Sequence, residues 1–67
     1  MMNLGTALLL IEQTTKVCVF VDGVQLVEAV PLYRLPVMDV IGMLGLPVVN
    51  LTSSEHALVI NLRKAVR

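Results

Sequence analysis

Two apolar runs separated by a two-residue turn form the clearest pattern in the chain. The runs cover 17–21 and 24–30, and Asp22-Gly23 lies between them. Both are rich in β-branched residues, and Asp-Gly favours a type I′ turn with positive φ at both central residues. The pattern predicts a β-hairpin over 16–30. The turn also sets the cross-strand register, which we expect to pair Val21 with Val24, Val19 with Leu26 and Val17 with Glu28.

Both faces of this predicted hairpin are largely apolar. An antiparallel hairpin that keeps one face in water usually shows polar side chains on that face. Here one face carries valines and Leu26, and the other still carries Cys18, Phe20, Val27 and Ala29. We therefore expect the hairpin to be covered on both sides, by the chain's own helices and by something else.

A short helix is predicted over 36–44. Pro31 should end the second strand, and the segment 32–35 should be extended because Pro36 follows it. Pro36 suits the first turn of a helix, and Gly45 suits the positive-φ position after its end. A helical stripe then predicts which side chains face the core, namely Val37, Val40, Ile41 and Leu44.

The two ends of the chain allow two interpretations each. Residues 4–14 have helical spacing of apolar positions, although a strand over 6–12 is the alternative. Residues 52–55 match the capping box of a hydroxyl residue followed three positions later by an acid. We expect a helix over 53–66, and the alternative is a strand over 57–62, where apolar residues alternate.

Composition limits how much of this apolar surface the chain can hide. The 67 residues are 57% hydrophobic and 15% charged, against about 45–50% and 25% in average globular domains. We expect one small α+β domain over 1–67, with a two- or three-stranded antiparallel sheet and short helices packed on it. Because so small a domain has much surface for its volume, we expect a homodimer or higher oligomer.

The same apolar content does not predict a membrane span. The longest strictly apolar runs, 7–11 and 17–21, have five residues each, and a spanning helix needs about 20. No basic residue precedes the first run, so no signal peptide is predicted. The single cysteine, Cys18, excludes an intramolecular disulfide, which favours a reducing compartment such as the cytoplasm.

Chemistry-bearing residues are few and scattered. His56 is the one histidine, and Cys18 is far from it in sequence. A catalytic pair needs a nucleophile and a base held together, and a metal site needs several converging ligands. We expect no enzymatic activity, no cofactor and no metal. His56 is expected to be a surface or half-buried residue, and Glu28 to lie in water at the open edge of the hairpin.

The segment between the prolines offers the best candidate partner-binding residues. Tyrosine and arginine concentrate binding energy at interfaces, and methionine adapts to a partner's shape. We therefore expect a protein-binding surface on the exposed side of this segment and of the helix after it, formed by Tyr33, Arg34, Met38 and Met43. The alternative is an ordinary connection, in which the tyrosine covers the core and the methionines fill it.

Three short resemblances suggest other functions. The segment 17–26 with its Asp-Gly turn resembles the first hairpin of Sm-like RNA chaperones, and His56-Ala57 is similar to a dipeptide in their last RNA-lining strand. Asp39-Val40 with Leu44-Gly45 resembles the DNA-binding domain of some phage antirepressors. The segment 57–64 is similar to a strand of chemotaxis coupling proteins. The first two imply a small nucleic-acid-binding regulator, Sm-like or helix-turn-helix-like, but the chain has no net charge and lacks a basic surface.

Overall fold

The chain folds into a four-stranded mixed sheet with short helices, and the computed structural model describes residues 2–64. The strands lie in the order β2-β1-β4-β3, and the central strands β1 and β4 are parallel. The elements in chain order are α1 (Leu4–Leu9), β1 (Lys16–Val21), β2 (Val24–Pro31), a 3₁₀ helix (Leu32–Arg34), α2 (Val37–Val40), a second 3₁₀ helix (Ile41–Met43), β3 (Val48–Ser53) and β4 (Leu58–Leu62).

The expected α+β class is confirmed, but the sheet is larger than expected and is not wholly antiparallel. The sheet consists of two antiparallel hairpins, β1–β2 and β3–β4, that meet side by side through the parallel pair. The sequence showed only the first hairpin clearly, because β4 has a strong capping signal before it and β3 has no turn of the Asp-Gly type.

The first hairpin forms at the predicted turn but with a different register. Asp22 and Gly23 have φ values of 51° and 85°, as a turn with two left-handed residues requires. Val21 opposes Val24 as expected, whereas the other two predicted pairs are wrong. Irregularities along β2 insert extra residues and shift its partners, so that Val19 opposes Val27 and Val17 opposes Val30.

The expected helix over 53–66 is wrong within the described residues, and the alternative strand is present as β4. The capping box does not form, because Thr52 lies in β3 and Ser54 forms the local hydrogen bonds instead. Its hydroxyl donates to the Ala57 carbonyl at 2.9 Å and accepts from the Ala57 amide at 3.2 Å. The Ser54 amide also donates to that carbonyl, at 2.9 Å. The serine therefore closes the turn between β3 and β4 instead of capping a helix. Residues 65–67 lie outside the described part of the chain.

The core lies between one face of the sheet and the helices. Four large side chains are completely or almost completely buried there: Leu4, Val17, Val19 and Ile60. Around them pack Val21, Val27, Val40, Met43 and Leu62. The opposite face of the sheet carries buried Cys18 and half-buried Phe20, Val59 and Asn61. The side-chain amide of Asn61 donates a hydrogen bond to the side-chain oxygen of Asn50 at 2.7 Å.

The expected helix near the N-terminus is confirmed and is shorter than the apolar pattern. α1 begins after Asn3, whose Oδ1 accepts a hydrogen bond from the Thr6 amide at 2.9 Å, and it ends at Leu9. None of the helices in residues 2–64 is long and apolar enough to cross a lipid bilayer.

Candidate functional site

An apolar groove lies between α1, the first 3₁₀ helix and α2. Its volume is about 300 Å³. The walls consist of aliphatic side chains and one tyrosine: Leu8, Leu32, Tyr33, Leu35, Val37, Val40, Ile41 and Leu44. The Tyr33 hydroxyl is the one polar side-chain group among them, so the groove suits an apolar ligand surface and offers little for polar chemistry.

Backbone hydrogen bonds hold the groove walls in place. The amides of Leu32 and Tyr33 donate to the carbonyls of Thr15 and Gln13 at 2.9 and 3.1 Å, which ties the first 3₁₀ helix to the loop after α1. Gly5 donates to the Leu44 carbonyl at 2.9 Å, which ties the start of α1 to the far wall. Because the walls are fixed before any partner arrives, binding there orders little additional backbone.

The 3₁₀ turn at the groove departs from the sequence expectation. The segment 32–35 was expected to be extended, but Leu32–Arg34 forms a 3₁₀ helix closed by the Leu35 amide on the Leu32 carbonyl at 3.1 Å. Only the residue directly before a proline is strongly restricted, so Pro36 constrains Leu35 and leaves the preceding turn free to form. Gly45 lacks the positive φ that was expected of it.

A helix follows Pro36 as predicted, but α2 covers only Val37–Val40 before a 3₁₀ helix takes over, and most of the predicted apolar stripe does not face the core. Val40 is buried, whereas Val37, Ile41 and Leu44 are exposed and line the groove. The four-residue α2 and the 3₁₀ turn that follows it bury one narrow edge against the sheet. The pattern thus correctly predicted which residues share an apolar helix face, but that face lines the groove and is not buried in the core.

The structure separates the four predicted partner-binding residues. Tyr33 is 63% exposed and lines the groove, Met38 is 86% exposed, and Arg34 is also exposed. Met43 was expected on the same exposed side, and this placement is wrong, because Met43 is 8% exposed and packs in the core. In the 3₁₀ turn Met43 follows Val40 by three residues and lies on the same, inward side.

Sequence reasoning missed the residues that make the groove concave. Leu8 and Leu32 are half-buried and Ile41 is exposed, and all three line it. The sequence signal that could have indicated these residues was an apolar stripe on a predicted helix that is too short to bury every residue of the stripe. Leu9 and Leu10 at the end of α1 are also strongly exposed, although they do not line the groove.

The described part of the chain has as many exposed large hydrophobic side chains as buried hydrophobic ones, eleven of each. Seven of the exposed ones belong to α1 and its end or to the groove region: Leu9, Leu10, Tyr33, Val37, Met38, Ile41 and Leu44. Contiguous apolar exposure of this kind marks a binding surface more often than a free surface.

Elsewhere the described residues offer little that could act chemically. His56 Nε2 lies 3.6 Å from Glu55 Oε1 in the β3–β4 turn, and both side chains are almost fully exposed. Burial raises the pKa of the Cys18 thiol, which disfavours the thiolate. No group of three potential metal ligands converges within residues 2–64. A second depression, of about 280 Å³, lies at the hairpin tip beside Val24 and Lys64.

Comparison with known proteins adds no assignment. The sequence matches no protein-family model, and no curated protein and no solved structure matches it.

Proposed function

We propose that this chain is a protein–protein interaction module that self-associates through the groove and the exposed side chains around it. We call this region the groove surface and define it by Tyr33, Val37, Met38, Ile41 and Leu44. The observation that carries the proposal is that five large apolar side chains are exposed together beside a preformed apolar groove. Exposure of these apolar side chains to water is unfavourable, and their burial against a partner would be favourable in free energy.

The residue types also fit a binding surface. Tyr33 brings a large ring that loses little conformational entropy on binding, and Met38 can adapt its shape to a partner. Arg34, exposed beside Tyr33, adds a cation at the rim. Met43 is left out of the surface because it is buried in the core.

Sedimentation velocity at micromolar concentration tests the proposal directly. The parent protein should sediment as a dimer or larger species. The double variant Tyr33→Ala, Arg34→Ala should remain folded by circular dichroism and self-associate more weakly by about 2 kcal/mol or more, the usual threshold for an interface hot spot. A folded parent that stays monomeric would contradict self-association.

A matched control removes two exposed side chains that are not among the residues lining the groove. Glu55→Ala, His56→Ala changes the turn between β3 and β4, where both side chains are almost fully exposed. This variant should associate as the parent does. Titration with an oligonucleotide provides the other arm, since binding that falls steeply with salt would favour a nucleic-acid-binding function instead.

A further inference from the structure

The groove surface has a pair of opposite charges at its rim. Arg34 ends the first 3₁₀ helix and Asp39 lies in α2, so both flank residues that line the groove. They are the only charged residues in the segment 29–54. Both are exposed. Arg34 and Asp39 therefore provide one exposed cation and one exposed anion beside the groove residues of this segment.

These two charges lack partners in the described chain. The ion pair within 4.0 Å in residues 2–64 joins His56 and Glu55, and neither Arg34 nor Asp39 takes part in a side-chain hydrogen bond there. Arg34 and Asp39 are five positions apart, yet they do not pair with each other. Each remains available to an opposite charge from outside.

We propose that the groove surface binds a second copy of this chain across a two-fold axis, with Arg34 of each copy facing Asp39 of the other. This inference rests on the proposed function. In a two-fold interface the same patch meets itself, so residue i contacts residue j and j contacts i. A patch with one unpaired cation and one unpaired anion is complementary to itself in this arrangement. The two-fold axis then passes between Arg34 and Asp39.

A dimer of this kind requires a patch of a certain size. A standard interface removes about 800 Å² from each partner, which is roughly a sixth of the 4606 Å² surface of this chain. The groove surface supplies five exposed large apolar side chains toward that area. Apolar burial supplies the affinity, and the rim charges supply orientation and discrimination against other partners.

Charge exchange provides the test. Arg34→Asp and Asp39→Arg should each weaken self-association by about tenfold or more at low salt, because each variant places like charges opposite each other twice. Mixing the two single variants should give a heterodimer close to parental affinity, since every facing pair is again opposite in sign. The double variant Arg34→Asp, Asp39→Arg should also associate as the parent does.

The outcomes separate this inference from the proposed function. Single reversals that associate as the parent does would overturn the two-fold pairing and leave the interaction module standing. Single variants that are weak and are not rescued by mixing or by the double exchange would also overturn it. A monomeric parent would overturn both proposals. Glu55→Lys serves as the control, because it reverses an almost fully exposed charge in the β3–β4 turn and should leave self-association unchanged.

Discussion

Replacing Ile41 by threonine should weaken self-association without a large effect on the fold. Ile41 is 60% exposed and lines the groove, so a partner could bury more than half of the side chain. Complete burial of an isoleucine contributes about 1.5–3 kcal/mol. The exposed share corresponds to about 1–2 kcal/mol per copy. A two-fold dimer contains this contact twice, so the loss should be about 2–4 kcal/mol, or about 30- to 700-fold in the dissociation constant.

Val24 provides a control with the same exposure in another place. It is also 60% exposed, but it lies at the tip of the β1–β2 hairpin. Val24→Thr keeps the β-branched shape and should leave the dissociation constant within about threefold of the parent value, a difference below about 0.7 kcal/mol. Sedimentation equilibrium over a range of concentrations measures both variants. Equal weakening by Ile41→Thr and Val24→Thr would refute the assignment of the interface to the groove.

Three further predictions concern the stability of the fold and the reactivity of its cysteine. Gly23→Val should destabilise the fold by at least about 1 kcal/mol, because a side chain resists positive φ. Gly42→Ala, at a position with open space and no positive φ, should be neutral or stabilising. Thermal melts at one protein concentration compare the two variants, and equal melting temperatures would contradict the turn assignment. Asn3→Ala should lower the free energy of unfolding by about 1 kcal/mol, because it removes the N-cap of α1, whereas Asn3→Asp should retain most of that stability. Urea unfolding measures both variants, and an equally large loss with Asn3→Asp would argue against capping. Burial raises the pKa of Cys18, so a thiol reagent at neutral pH should label the native protein much more slowly than the unfolded one. The same shift favours folding fully below the unfolded thiol pKa of about 8.5 and is lost as the pH rises through the folded value, so Cys18→Ala should reduce the fall in stability at alkaline pH.

Local signals predicted the first half of the fold well. The Asp22-Gly23 dipeptide fixes the hairpin turn because few residue pairs accept two positive φ values, and the structure has both. The shifted register could not be predicted, because packing against the core determines where the bulges in β2 form and no sequence pattern indicates them. The strand β4 was predicted only as the alternative to a helix, because the residues 52–55 match a helix capping box, whereas the structure uses the Ser54 hydroxyl to close a turn.

The candidate site was predicted in part, for a reason of packing. Tyr33, Arg34 and Met38 are exposed in the predicted region. Met43 is not, because periodicity shows which residues share a helix face and does not show which face the sheet covers. Ile41 and its neighbours had the pattern of core residues. Their exposure depends on how little surface a helix as short as α2 can bury.

The edges of the sheet give an independent reason to place self-association at the groove. An open sheet can associate through its outer strands, which are β2 and β3 among the residues described. β2 is irregular in register and carries exposed Glu28 and a terminal proline, features that disfavour pairing with another strand. The start of β3 is already covered, since the Val48 amide donates to the Met2 carbonyl at 2.9 Å. The irregular β2 and the partly covered β3 therefore favour the groove surface over the sheet edges as the proposed site of self-association.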